Sequence, residues 1–276
     1  MGMIETAATS TPPKGSRLGE RVRALRVSAG LTQTELAGER FSKEYISQIE
    51  RGKTRPTDST IAWLAEQLGV DAALLSSGVS TEERTKVEAM LGRAEALTEA
   101  HKYEEAIQAF REARPSVDGT GASTLELRAL AGEAWALQES GDVRQAIELL
   151  QQARGLVERT DFSDVDRADV LFRLAVCRYK LSSTSTAIAL FDEALELADR
   201  SGLPCDLLRS DILQRRSRCH RRLRDYVAAR DDVERALELA QDLGDRAAIA
   251  NAYFQASLVS QRQGHYVLSR SYAQRA

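Results

Sequence analysis

SKEYISQIERGKTRPT occupies residues 42–57, and two readings of it compete. RGKT (51–54) has the look of the end of a phosphate-cradling loop. Such a loop needs a glycine five residues before Gly52, where Ser47 stands, and no strand leads into it. The other reading is a short helix. Ser42 suits its N-cap, Tyr45, Ile46 and Ile49 recur at the spacing of one inward face, and Gly52 stops it. Lys43, Glu44, Ser47 and Gln48 then lie on the outward face.

Working outward, the neighbouring segments have the same scale. Upstream, Leu18, Val22, Leu25 and Ala29 form one stripe of an amphipathic helix that Gly30 ends. Thr32 with Glu35 three residues later is a capping box opening a short helix whose apolar face is Leu36 and Ala37. Downstream, Thr57 or Asp58 caps a helix with Ile61, Leu64, Ala65 and Leu68 inward and Gly69 after it. Asp71 starts a last turn bearing Leu74 and Leu75. Residues 16–76 therefore predict five small helices around one aliphatic core, near the smallest size that folds alone.

The rest of the chain has a different rhythm. Residues 77–80 read as a linker, after which Ser80 and Glu83 form a second capping box. From residue 81 the chain repeats itself: HKYEEAIQAFREA, GDVRQAIELLQQA, SSTSTAIALFDEA, RDYVAARDDVERA and GHYVLSRSYAQRA share one frame. One column reads Tyr103, Val143, Thr184, Tyr226, Tyr266. Small residues fill three others: Ala106, Ala146, Ala187, Ala229, Ser269; Ala113, Ala153, Ala194, Ala236, Ala276; and Ala94, Ala134, Ala175, Ser217, Ser257. Successive repeats begin 40 to 42 residues apart. Paired antiparallel helices cannot bury their apolar faces alone and must stack on neighbours, with small residues where helices approach closely. About five repeats are expected over 81–276. The fifth is incomplete at Ala276, which is expected either to be covered by a partner subunit or to mark a fragment of a longer array.

Composition excludes several classes. Among 276 residues, 43% are hydrophobic and 29% charged, and no run of 18 apolar residues occurs, which argues against a membrane span. Residues 1–15 lack the apolar stretch of a secretory signal and read as a disordered leader. Cys177, Cys205 and Cys219 are odd in number and far apart, which suits reduced thiols in a cytoplasmic protein better than a zinc site. His101, His220 and His265 are isolated, so no metal or cofactor is expected, and no paired carboxylates or nucleophile arrangement points to an enzyme. Net charge is −3 overall, yet residues 17–55 hold nine Lys or Arg against five Glu, a balance of +4 that points to a polyanion partner there.

The repeat columns resemble the tetratricopeptide repeat. The period is longer than that motif's usual 34, so each helix should be about a turn longer. The first domain resembles the phage-repressor-like, xenobiotic-response-element-type helix-turn-helix regulators, through LTQTELA (31–37), YISQIERGKTRP (45–56) and LAEQLGV (64–70) in order. Together these imply an all-α chain in which a five-helix helix-turn-helix domain precedes a tetratricopeptide-like α-solenoid. The pair of modules resembles that of actinobacterial-style regulators with a repeat-built sensor domain, and is similar to that of the peptide-pheromone receptors.

In a helix-turn-helix the second helix lies in the major groove, which makes Lys43, Glu44, Ser47 and Gln48 the base-facing set, with the N-cap Ser42 beside them among the DNA-binding residues. Lys suits guanine, Gln adenine, and Glu the cytosine amine. The resemblance adds Gln33 as a phosphate and base contact and Arg51, Lys53 and Arg55 as backbone-positioning cations. It also implies a structural ion pair between Arg26 and Glu50. LAGERFSKEYIS (36–47) is one residue shorter than the family's turn. Gly38 comes early for the turn glycine, Phe41 replaces the usual Val, and whether Lys43 or Glu44 reaches deepest stays open.

The expected function is a sequence-specific, double-stranded-DNA-binding transcriptional regulator. Its solenoid would sense a peptide or protein in a groove and mediate homodimerisation. The alternatives are a protein-interaction scaffold or an enzyme-regulating adaptor in which DNA binding is secondary or absent. RRSRCHRRLRDY (215–226) offers a further candidate, a ligand patch of Arg215, Arg218 and Arg222 for an acidic peptide, nucleic acid or phosphate. The bland account is a solvated face paired with Asp225, Asp231, Asp232 and Glu234. Trp63 and Trp135 are expected in cores.

Overall fold

The structure, a computed structural model, describes residues 18–159 and 162–276. The leader expected over 1–15, and the first two residues of the predicted 16–76 domain, lie outside that range. All fifteen elements among the described residues are helices. Five are short: α1 (Leu18–Ser28), α2 (Gln33–Ala37), α3 (Lys43–Glu50), α4 (Asp58–Leu68) and α5 (Ala72–Ser77). The longer ones are α6 (Thr81–Glu99), α7 (Tyr103–Thr120), α8 (Ser123–Ser140), α9 (Val143–Arg159) and α10 (Asp164–Lys180). They continue with α11 (Thr184–Arg200), α12 (Asp206–Arg222), α13 (Tyr226–Leu243) and α14 (Arg246–Arg262), and the short α15 (Tyr266–Ala273) follows.

Two compact units result. The first holds the described residues up to Ala100 with Gln108–Ala129, and the second holds His101–Ile107 with Leu130–Ala276.

In the first unit the short helices enclose Val22, Leu25, Leu36, Ile46, Ile49, Leu64 and Leu75. Side-chain caps set most of their starts. Thr32 and Glu35 close a capping box, Ser42 Oγ accepts the Tyr45 N–H at 3.2 Å, and Thr57 and Asp71 cap α4 and α5. Ala29, expected on the apolar stripe, is instead exposed at the C-terminal end of α1, beyond the reach of that core. The connection to α6 is short and ordered. Val79 is buried, Ser80 caps α6 with Glu83, and Asp71 Oδ2 accepts the Thr81 N–H at 2.8 Å.

The repeat columns explain themselves once burial is known. Ala106, Ala146, Ala187 and Ala229 have no exposed surface, nor do Ala113, Ala153, Ala194 and Ala236. Ala94, Ala134, Ala175, Ser217 and Ser257 are buried too. A larger side chain in any of these columns would hold two helix backbones apart, which close packing does not allow without strain. Phe110, Leu150, Phe191 and Val233 fill the space between them. The fifth repeat departs from the pattern: Ser269 is half-buried, and Ala273 and Ala276 are exposed. Full-length helices of this array run 17 to 19 residues, in keeping with the long period.

Each repeat turns between its two helices through a residue with positive φ: His101, Gly141, Ser182, Arg224 and Gly264. Two repeats place glycine there and three do not, at a cost of about 1–2 kcal/mol for a left-handed L-residue. His101→Gly is therefore expected to stabilise the protein by about 0.5–1 kcal/mol, because relief of the left-handed strain exceeds glycine's extra chain entropy. Thermal denaturation checks it; an unchanged or lowered midpoint would remove the strain account.

Candidate nucleic-acid interface

Between α2 and α3 the chain must reverse in five residues, and Gly38 makes this possible. It stands at φ 54, ψ −145, and its N–H donates to the carbonyls of Thr34 and Glu35, ending α2. Gly38 is thus the turn glycine after all. The shortened connection places the left-handed residue directly after Ala37, and no later position needs it. Phe41 closes the turn from the other side, its ring 5.1 Å from Tyr45 and edge-on to Trp63 at 5.0 Å, with the Arg40 guanidinium over it.

Ser42 is the N-cap of α3, which fixes Lys43 and Glu44 in its first turn. Ile46 and Ile49 are fully buried, while Lys43, Glu44 and Gln48 are exposed and Ser47 is half-buried beside them. These four side chains share the face opposite the core. Gln48 is partly committed, because its Oε1 accepts from Thr54 Oγ1 at 2.9 Å. The helix ends in a reversal in which the Gly52 N–H donates to Ile49 O and the Lys53 N–H to Gln48 O, both at 2.9 Å. Arg51, Lys53 and Arg55 follow, all exposed.

Behind this face lies a charged anchor. Arg26 Nε donates to Glu50 Oε1 at 2.6 Å, and its Nη2 to Glu50 Oε2 at 3.2 Å. Arg26 Nη1 also donates to Leu31 O at 2.7 Å. Gln33 Nε2 donates to Glu50 Oε2 at 2.8 Å, so Gln33, which is half-buried, belongs to this network. Burial pushes the Glu50 carboxyl up, but the bonds from Arg26 and Gln33 and the charges of Arg26 and Arg23 outweigh it. They hold it below the ordinary carboxylate range.

A second anchor is steric and escapes a reading by pattern. Gly19 of α1 touches the end of α3: a Cβ there would fall within 2.8 Å of Glu50 O and still nearer Ile49 O. A glycine inside a helix costs about 1 kcal/mol relative to alanine, and that cost was the only sequence signal available.

The basic excess of residues 17–55 divides by location. Arg17 lies outside the described residues. Arg21 is buried, its Nε donating to Leu75 O at 2.9 Å and its guanidinium to Ser76 O, where it satisfies the end of α5. With Arg26 also engaged, the cations left at the surface are Arg23, Arg40, Lys43, Arg51, Lys53 and Arg55.

The three residues expected to form one ligand patch in the repeats are separated. Arg215 joins Trp135, Gln138, Glu139, Phe172 and Arg173 around a cavity of about 220 Å³. Arg218 and Arg222 line another, of about 310 Å³. Positions 215 and 222 stand two turns apart, roughly 10 Å along α12, so one small pocket does not span both. Trp135 is a correction too. It is 43% exposed at the rim of the first cavity, while Trp63 is half-buried against the core of the short helices.

Residues 17–77 match the helix-turn-helix domain family, and residues 73–119 and 132–202 match the tetratricopeptide repeat family. The HTH-type transcriptional regulator y4dJ of Sinorhizobium fredii is 44% identical over 54 residues, 19% of this chain and 70% of that protein. The chain belongs to the HTH-type transcriptional regulators. DdrOP3 of Deinococcus deserti, another such regulator, is 39% identical over 64 residues, which cover 23% of this chain and half of that protein. Among solved structures, PlcR of Bacillus thuringiensis, crystallised with the peptide PapR7 and DNA, aligns over 94% of this chain and 93% of its own. Its TM-score is 0.55 at 16% identity, a likeness of fold. BtubC from P. vanneervenii aligns over 94% of this chain and 89% of its own, with a TM-score of 0.56 at 15% identity. This HTH-type regulator thus joins a DNA-binding module to repeats, and both matching families are non-enzymatic. No helix among its described residues is long and apolar enough to cross a membrane.

Proposed function

We propose that this regulator reads a specific duplex sequence with α3 as a homodimer, and that its repeats sense a peptide or protein signal. The observation that carries the first part is the exposed face of Lys43, Glu44, Ser47 and Gln48 on a helix anchored from behind by Glu50 and Gly19. A recognition helix must be held to within a fraction of an ångström to read base edges. Lys43 and Gln48 are the base readers in this proposal. Glu44 serves the positive end of the helix and accepts from a cytosine amine where one is present. Arg51, Lys53 and Arg55 grip phosphates, and Gln33 contributes at the rim.

Support for a peptide signal comes from the cavity around Trp135. All of its lining but Leu150 of α9 lies on α8, α10 and α12, first helices of successive repeats, and it combines exposed indole with the amide of Gln138 and charges of both signs. Such a lining holds an extended chain by its backbone and by an apolar anchor. PlcR, of similar fold, was crystallised with both a peptide and DNA.

Selection from random duplexes tests the reading. Enrichment of a palindrome with half-sites about one helical turn apart is expected. Gln48→Ala should weaken the selected site by about 1–3 kcal/mol and relax one base position. Lys53→Ala should weaken all sequences alike and reduce the salt slope by about 1. No enrichment at moderate salt would favour the scaffold reading, and sedimentation as a strict monomer with and without DNA would remove the dimer.

A further inference from the structure

The acids near α12 are unevenly placed. Arg216 takes Asp232, with Nε to Oδ2 at 3.0 Å, and Asp192, with Nη1 to Oδ1 at 2.7 Å. His220 lies 3.8 Å from Asp225 and 3.9 Å from Asp232. This side of the helix fits the bland account of its basic run. The other side does not. Arg218, Arg221 and Arg222 line the cavity of about 310 Å³ with Arg224 from the following turn, Arg262 from the end of α14, and Tyr179 and Tyr226. Among the described residues no carboxylate comes within ion-pair distance of any of these five guanidiniums.

One of the five is held by neutral groups, and another has a buried N–H that nothing accepts. Arg222 donates to Ser182 Oγ at 3.0 Å and lies over the Tyr179 ring at 5.5 Å. Arg218 Nε is buried with no acceptor. Burial depresses the Arg218 guanidinium, and the charges of Arg215 and Arg221 depress it further. Burial does the same to Arg221, opposed by Tyr179 and reinforced by Arg262. An arginine keeps its proton at neutral pH; Arg222, Arg224 and Arg262 are exposed to water, so a counter-ion would relieve chiefly the half-buried charges of Arg218 and Arg221. Cations in a last turn favour the helix dipole, which accounts for Arg221 and Arg222 but not for Arg218, a full turn earlier with its Nε buried.

We propose that this cavity is an oxyanion site for a small ligand carrying a diphosphate group. Guanidinium forks match phosphoryl oxygens two at a time, and one carboxylate would leave most of the charge unanswered. The cavity's volume suits a small molecule better than a run of nucleic-acid backbone.

Inorganic pyrophosphate, added to the full chain at constant ionic strength, tests this by thermal unfolding. The midpoint should rise by about 5 °C at a hundred times the dissociation constant. Arg221→Gln should raise the midpoint of the ligand-free protein, since it removes an uncompensated charge, and abolish the pyrophosphate shift. Arg262→Gln, on a different helix, should weaken binding about tenfold or more. The double variant Arg51→Ala/Lys53→Ala should keep the full shift. ADP binding tighter than pyrophosphate, through Tyr179 or Tyr226, or binding equal to it, both support a diphosphate site. The proposal is overturned by no shift in the unsubstituted protein, by an equal shift in both glutamine variants, or by loss of the shift in the double variant. It is also overturned if poly-glutamate gives the shift and pyrophosphate does not.

Discussion

Arg26→Ala is expected to cost the short-helix domain about 3–5 kcal/mol, the penalty for stranding a buried charge. The side chains of Glu50 and Arg26 are 4% and 12% exposed, so water cannot replace the lost partner. The alanine would leave Glu50 with Gln33 as its remaining donor and would free the Leu31 carbonyl from its bond to Arg26. Amide hydrogen exchange in α3, followed alongside urea unfolding, should show lost protection there first. A loss below about 1 kcal/mol would mean that the pair behaves as a surface ion pair. Replacing both partners with apolar residues, as in Arg26→Met/Glu50→Leu, should recover most of the loss, because no unpaired charge remains.

The same pair gives an acid limit with a definite sign. Glu50 titrates lower in the folded state than in the unfolded chain. Its contribution is therefore fully present above the unfolded carboxylate value of about 4.3 and is lost as pH falls through the lower folded value. Glu50→Gln should flatten that part of the pH profile.

Gly19→Ala should destabilise the domain by about 1–3 kcal/mol and lower specific DNA affinity at least tenfold. Alanine is the better helix former by about 1 kcal/mol, but the atoms opposing its Cβ are the backbone carbonyls of Ile49 and Glu50, which cannot rotate away. Either α1 or α3 must shift. Gly92→Ala in α6 is the control, since the nearest atom there is the flexible end of Arg128 at 4.0 Å. It should stabilise by up to about 1 kcal/mol. Equal effects at both positions, read by denaturation and by titration of the selected duplex, would refute the contact argument.

Much of the architecture was legible because its causes are local. Thr32 with Glu35, Ser42, Thr57, Asp71 and Ser80 with Glu83 each need only neighbours within one turn to cap a helix, and all of them do so. The alanine columns were equally readable, because a repeat imposes one packing constraint at a fixed interval. The outward set on α3 follows from the same periodicity that places Ile46 and Ile49 inside.

What failed had causes far away in sequence. Trp135 looked like core by its chemistry, yet whether an indole is covered depends on the helices beside α8. Arg21 counts toward the basic balance of residues 17–55, but the carbonyls of Leu75 and Ser76, more than fifty residues on, hold it in the interior. Gly38 was discounted by comparison with a longer turn, and the geometry of the shorter one restored it.

By itself, the sequence determined that this protein is a helix-turn-helix domain followed by stacked helical pairs, since capping and periodicity are short-range properties of the chain. Only the tertiary structure decided which charges answer one another. Coulomb partners and backbone contacts form between segments that share no local rule. They gave Arg216 to both Asp232 and Asp192, and set Arg218 beside Arg221 with no carboxylate to meet it.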